Sequence, residues 1–228
     1  TPNSVLYTGA KPVFADIDYD SVNIDPAEIQ KKITKKTKAV LPVHMAGLPC
    51  DMPAIAKIAK KHKLTVIEDA SHALGAEYRY RGRWYRVGGC RHSDMTVFSF
   101  HPVKHITTGE GGIITTNSKR LYSKLKAMRT HGVYKDGQTA EAGPWYYEMR
   151  ELGFNYRITD IQCALGISQL KKLEDFLRKR TLVAERYTEA FSDIKDLRLP
   201  EYNRDNFRHA GHLYVIRLKG INAAKRRK

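Results

Sequence analysis

The sequence predicts a layered α/β domain with parallel strand pairing, on two observations. Short apolar runs bounded by turn residues alternate with amphipathic stretches of about ten residues, the pattern of strand–helix–strand units. The chain of 228 residues, 42% of them hydrophobic, is long enough to enclose one sizeable core.

The elements follow in order. Lys11–Asp18 is a short apolar run entered by Pro12 and left through acidic residues, as a buried strand would be. A helix fits Asp25–Ile33, with Asp25 as cap, Pro26 in the first turn and Ala27, Ile29 and Ile33 on one side. Ala39–Val43 reads as the second strand. Asp51–Lys61 is a second helix, capped by Asp51, with Pro53 near its start and Met52, Ile55, Ile58 and Ala59 on one face. Leu64–Asp69 is the third strand. Tyr78–Arg86 interleaves aromatic and cationic residues, which suits either base stacking or a hairpin turning near Arg81-Gly82. Met95–Phe100 and Gly112–Thr116 are strand-like, with eleven residues and a glycine-rich turn between them. Helical patterns cover Ser118–Met128 and Thr159 to about Arg180, continuing through about Phe191. Asp136–Gly143 is polar enough for a mobile loop, and His212–Leu218 is the last strand.

Composition excludes several classes. No run of about 18 apolar residues exists, and the first 25 residues hold four Asp and no charged-then-apolar leader. A membrane span and a signal peptide are therefore unsupported, and a cytoplasmic protein is expected. Cys50, Cys90 and Cys163 are widely spaced and odd in number, which argues for reduced thiols over a zinc site or a disulfide framework. The net charge of +16 invites a nucleic-acid reading. Most of the basic runs, however, lie on amphipathic helical stretches as solvated faces, so no nucleic-acid partner is expected. The chain begins at Thr1 rather than Met and stops at the basic run Lys225–Lys228, so a fragment of a longer protein is expected.

In open α/β sheets, ligands bind beyond the carboxyl ends of the strands. Three polar features fall there: Glu68-Asp69-Ala70-Ser71-His72, Ser99, and Lys104 in the turn His101–Gly112. A pyridoxal enzyme needs a lysine to hold its cofactor, an acid beside the pyridine nitrogen and donors for the phosphate. Lys104, Asp69 and Ser99 meet those needs. By spacing alone, Asp69 as a helix cap and Lys104 as a surface charge remain open.

The residues themselves go further. Pro12–Asp18, Pro42-Val43-His44 through Asp51-Met52, Glu68–Ala76, Phe98–Lys104 with Glu110-Gly111-Gly112, and Gly153–Arg157 with Gln162 and Gln169-Leu170 run in order along nearly the whole chain, Ser4 to about Leu218. Together they resemble the DegT/DnrJ/EryC1/StrS sugar aminotransferases, of the fold-type I pyridoxal-phosphate class. The segments His101–Gly112 and Pro144–Glu148 are most similar to the subgroup that aminates a UDP-4-keto-6-deoxy-N-acetylhexosamine toward pseudaminic acid.

The resemblance implies a three-layer αβα domain with a mostly parallel mixed sheet over residues 1–180, lacking its N-terminal part. Residues 181–228 would then begin a truncated small domain. It further implies pyridoxal 5′-phosphate as cofactor. Lys104 matches the Schiff-base lysine that also moves a proton, and Asp69 the partner of the pyridine nitrogen. His72 matches a residue on the ring face or 3′-oxygen, or is a core histidine. Ser99 matches a phosphate donor, and Asn155 the residue that reaches the cofactor phosphate of the neighbouring subunit of a homodimer, or is a turn residue. Glu110 would orient the Lys104 loop or form a salt bridge; His131 and His212 are marginal candidates for the sugar nucleotide.

The expected reaction is transamination of the nucleotide sugar with glutamate as amino donor. Relatives normally carry a further N-terminal stretch with a phosphate-binding turn, absent here, which puts the activity of the isolated chain in question. A 3-dehydratase of the same fold, a non-catalytic cofactor-binding relative and a basic nucleic-acid module are the rivals. The dehydratase resemblance usually places His where Lys104 stands, so the lysine favours amine transfer.

Overall fold

The structure is a computed structural model that describes residues 1–134, 143 and 145–220. Of the loop expected over Asp136–Gly143 only Gly143 is among them, and Pro144 and the run Lys225–Lys228 lie outside.

After a short helix α1 (Pro2–Leu6), helix α2 (Pro26–Lys32) starts where Asp25 accepts from the Ala27 N–H at 2.8 Å. Strand β1 (Ala39–Val40) leads to helix α3 (Met52–His62), capped by Asp51 accepting from the Ala54 N–H at 3.0 Å. Strand β2 (Thr65–Asp69) follows, then the hairpin β3 (Glu77–Tyr80) and β4 (Arg83–Arg86). Its two-residue turn has φ of 50° at Arg81 and 79° at Gly82, the left-handed pair that matches strand twist. The Tyr78–Arg86 stretch is therefore a hairpin.

Strands β5 (Met95–Ser99) and β6 (Gly112–Thr115) complete a four-stranded sheet in the order β1-β2-β5-β6. The first two pairings are parallel and the last is antiparallel, the mixed and mostly parallel sheet expected. Helix α3 lays Met52, Ile55 and Ala59, each nearly inaccessible, into one core cluster with Val40, Val66 and Phe98 of the sheet. Apart from Ala59, side chains of this size contribute about 1.5–3 kcal/mol each on burial.

The C-terminal half differs from expectation. After α4 (Lys119–Met128), β7 (Val133–Tyr134) and β8 (Glu148–Met149), the long helix expected from Thr159 is two: α5 (Asp160–Leu170) and α6 (Leu173–Phe191). The break falls at Lys172 (φ −100°, ψ −1°), whose N–H turns to the Gln169 carbonyl at 3.0 Å. Glu174 and Asp175 then sit in the first turn of α6, where the helix dipole favours them.

Two expected strands do not form as such. Lys11–Asp18 makes one antiparallel bridge, Ile17 to Ile24, and leaves Val13 and Phe14 exposed, because no ladder partner lies beside it among the described residues. Of His212–Leu218 only β12 (Arg217–Leu218) is strand, paired with β9 (Leu197–Arg198); the His212 and Leu213 N–H groups turn instead to the Ala46 carbonyl. Strands β10 (Asn203–Arg204) and β11 (Phe207–Arg208), which the sequence pattern did not indicate, add to the edge of the β3–β4 hairpin.

Behind the carboxyl end of β2 lies a buried polar cluster. Glu68 is 3% exposed and His44 is fully buried. The Glu68 carboxylate accepts from Thr96 Oγ1 at 2.7 Å and from the Ser93 hydroxyl, and it faces His44 Nε2 at 2.8 Å. The Cys50 N–H donates to His44 Nδ1 at 3.0 Å, so the ring proton sits on Nε2, toward Glu68. Burial pushes the Glu68 pKa up, but His44 and the two hydroxyls outweigh it and the net shift is downward. Removing one member of such a buried set leaves a charge without compensation. His44→Ala is expected to lower unfolding free energy by about 3–5 kcal/mol in urea titration. Because the Glu68 pKa is lowered from 4.5, its stabilisation is complete above that value and is lost as the pH falls below it. A His44→Ala chain as stable as the parent at pH 7 contradicts this.

Candidate active site

Parallel registry sets the site. Ile67, Glu68 and Asp69 of β2 pair with Met95, Thr96 and Val97 of β5, so both strands end on the same edge of the sheet. Side chains alternate along β2, so Glu68 enters the buried face while Asp69 takes the other, half-buried side. Asp69 Oδ1 accepts from the Ser71 N–H at 3.1 Å and Oδ2 accepts from the Thr1 hydroxyl. Burial raises the Asp69 pKa, yet the contacts from Thr1 and Ser71 outweigh it, and the carboxyl is held below its ordinary value of 3.8. It is an anion at neutral pH.

Lys104 stands in the turn between β5 and β6, its N–H donating to the His101 carbonyl at 2.9 Å. The turn is fastened at its base. The Phe100 N–H donates to the Gly111 carbonyl at 2.8 Å, the Thr107 hydroxyl to the Phe100 carbonyl at 3.0 Å, and Gln162 Nε2 of α5 to the Glu110 carbonyl at 3.0 Å. Partial burial lowers the Lys104 pKa from 10.5, and the Asp69 charge opposes that shift. His72, on the loop after β2, has its pKa lowered by burial and then by the Lys104 charge, with Asp69 again opposing. Asp69, His72 and Lys104 thus form one electrostatic group.

His72 also stacks on His212, with ring centroids 4.3 Å apart at 29°, and His212 lies 5.4 Å from the ring of His105. The Nδ1 atoms of all three are buried without a hydrogen-bond partner among the described residues. Burial, followed by His72, Lys104 and Arg180, lowers the His212 pKa to about 4, so the ring is neutral near pH 7.

Ser99 ends β5, half-buried, with its hydroxyl oxygen accepting from the His101 N–H at 3.3 Å. Asn155 is exposed. Its backbone bridges Thr130 at the end of α4, and no hydrogen bond or ion pair joins its side chain to the other four candidates. Glu110 is exposed with its carboxylate 3.9 Å from His101 Nε2, and His131 is exposed at φ 55°. The sequence pattern assigned no role to His44 or Glu68 behind Asp69, nor to His105 or Arg180 beside His212. The adjacent acids Glu68-Asp69 at a strand end were the available signal, since alternation must bury one of them.

Asp69→Asn removes the carboxylate that supports the Lys104 charge, so the Lys104 pKa is expected to fall further below 10.5. The pH at which Lys104 becomes reactive toward an amine-acylating reagent, followed by peptide mass, then moves down. An unchanged or higher value would show that Asp69 does not act on Lys104.

Known proteins share the sequence and fold of this chain. The chain is 42% identical over 220 residues to the spore coat polysaccharide biosynthesis protein SpsC of Bacillus subtilis, covering 96% of this chain and 55% of that protein. It is 39% identical over 224 residues to the UDP-4-amino-4,6-dideoxy-N-acetyl-beta-L-altrosamine transaminase of Campylobacter jejuni, covering 96% and 55%. The solved structure of Helicobacter pylori PseC, an aminotransferase involved in the biosynthesis of pseudoaminic acid, superposes with a TM-score of 0.85 at 36% identity over 96% of this chain and 55% of that one. The chain therefore spans about half the length of the curated relatives it matches. Its architecture is that of the fold-type I pyridoxal-phosphate aminotransferases. The family model for DegT/DnrJ/EryC1/StrS aminotransferases matches residues 1–228, and the chain belongs to that family.

Proposed function

We propose that this chain is the cofactor-binding part of a pyridoxal 5′-phosphate-dependent sugar-nucleotide aminotransferase. Its substrate would be a UDP-linked 4-keto-6-deoxy-N-acetylhexosamine and its amino donor glutamate. The observation that carries this reading is the grouping of ionised Asp69, neutral His72 and a lysine of lowered pKa, Lys104, on the carboxyl edge of the sheet. Relatives named for transamination of an aminodideoxy sugar and for pseudoaminic acid biosynthesis support the sugar class.

The residues fit the cofactor. An anionic carboxylate at Asp69 can accept from a protonated pyridine nitrogen, and the Nδ1 of His72 has no hydrogen-bond partner among the described residues. When bound, the cofactor supplies an electron sink for the carbon bearing the transferred amine. Lys104 would attach it covalently and then, as a free amine, carry the proton. A lysine at its ordinary pKa is a cation at pH 7 and cannot accept one, so the partial burial that lowers Lys104 favours this role. Ser99 would donate to the cofactor phosphate.

Asn155 would serve the site of a second copy. An apolar surface around it supports a homodimer: Leu152 is 86% exposed, Ile161 of α5 is 84% exposed, and the rings of Phe154 and Tyr156 stack in the open at 4.7 Å. The division near residue 180 falls inside α6, so that helix would join the cofactor domain to a small domain beginning at 181. Among the described residues no helix is long and apolar enough to cross a membrane. Cys50, Cys90 and Cys163 are free thiols, in keeping with a cytoplasmic location.

In the complete protein, glutamate and the UDP-4-keto sugar are expected to give 2-oxoglutarate and the 4-amino sugar. Lys104→Ala should lower turnover by at least about 10²–10⁴-fold, the range of one proton-transferring group. A Lys104→Ala protein with parental turnover would refute the assignment.

A further inference from the structure

The segment His209–Leu213 is held against the cofactor edge from several directions. The Ala210 N–H donates to the Gly47 carbonyl at 2.9 Å, and the His212 and Leu213 N–H groups donate to the Ala46 carbonyl at 3.0 and 3.2 Å. Arg180 of α6 donates from Nη1 to the Gly211 carbonyl at 3.0 Å, and Tyr202 stacks on His209 at 4.3 Å. The approach is close enough to require glycine at position 47, whose φ is 106°. A Cβ there would lie 2.8 Å from the His72 carbonyl and 3.2 Å from Ala210 Cβ.

One further side chain reaches this segment from the catalytic turn itself. His105 immediately follows Lys104, is 4% exposed, and places Nε2 3.0 Å from the Ala210 carbonyl. A carbonyl only accepts, so Nε2 carries the proton and Nδ1 is a bare acceptor. His105 is thus a neutral donor that fixes the backbone two residues before His212, while its ring leans on the His212 ring. The product of this anchoring is the His212–His72 stack beside Asp69 and Lys104.

We propose that His105 is a positioning residue: through the Ala210 carbonyl it seats His212 on His72 and so fixes the imidazole face that His72 presents beside Asp69 and Lys104. The inference rests on the reading of that edge as the cofactor site. It also makes the site dependent on a segment more than a hundred residues away in the chain.

The test is an NMR titration of the His72 ring in the complete protein without added cofactor, assigned with His72→Gln. The charged and titratable groups facing His72 are Lys104, Asp69 and His212, with His105 and Arg180 behind His212. In the parent, burial and then the Lys104 charge hold the His72 pKa below its ordinary value of 6.5. In His105→Leu the stack loosens, and His72 is expected to titrate nearer that value while the circular dichroism stays unchanged. His105→Gln, whose terminal amide can donate to the same carbonyl, keeps the parental titration. His212→Ala, at a half-buried position, gives the shift of His105→Leu, and the double variant adds nothing to it. The dissociation constant for pyridoxal phosphate should rise up to about tenfold in His105→Leu, the worth of one neutral hydrogen bond.

A His72 titration unmoved in both His105→Leu and His212→Ala overturns the proposal, as does a His105→Gln that behaves like His105→Leu. Should His105→Leu fail to fold, His105→Gln and His212→Ala decide it by the same criteria. If the shifts occur as described but the parent takes up no pyridoxal phosphate, the positioning role is supported and the cofactor reading falls.

Discussion

Two consecutive carboxylates at the end of one strand govern this structure. Alternation along β2 forces Glu68 and Asp69 to opposite faces, so one must enter the core while the other meets the ligand edge. An isolated carboxylate in an apolar interior is not tolerated, and Glu68 is tolerated because His44, Ser93 and Thr96 surround it with donors. The same cluster holds the strand end. The His44 N–H donates to the Asp69 carbonyl at 3.1 Å and the Asp69 N–H donates to the Pro42 carbonyl at 2.9 Å. The buried acid thus braces the backbone from which Asp69 projects.

In front of that brace the charges oppose one another in a useful sense. Burial disfavours charge on Lys104 and on Asp69 alike, but Asp69 recovers its charge through Thr1 and Ser71, whereas Lys104 recovers only part through Asp69. An anion therefore faces a lysine that releases its proton more readily than one in water. His72 and His212 stay neutral, held against added charge by burial and by the nearby cations. Closure of this edge comes from a distant piece of chain, since His209–Leu213 is drawn in by Gly47, His105 and Arg180.

Much of the sheet and of the candidate group was legible in the sequence because it rests on local signals. Caps at Asp25 and Asp51, the strands Thr65–Asp69 and Met95–Ser99 and a turn at Arg81-Gly82 each act over a few residues and form as expected, whereas the run Ala39–Val43 is strand only at Ala39–Val40. Asp69, His72, Ser99 and Lys104 were readable from their places at strand ends and from the family pattern. What was not legible depends on partners distant in sequence. Lys11–Asp18 is strand-like in composition but has no ladder beside it, and His212–Leu218 gives its first N–H groups to Ala46 rather than to a strand. The break at Lys172 carries neither Gly nor Pro, and its only local mark is the acidic pair Glu174-Asp175. The His44–Glu68 and His105–Ala210 contacts span 24 and 105 residues, beyond the reach of any periodicity.

The claim on which the functional account turns is that Lys104, out of all the lysines of a strongly basic chain, is the one that takes the cofactor. Borohydride reduction of the complete protein with bound pyridoxal phosphate, followed by proteolysis and peptide mass mapping, measures this directly. The account predicts a single pyridoxyl-modified peptide containing Lys104. Modification spread over the exposed lysines, or fixed on another one, would contradict it.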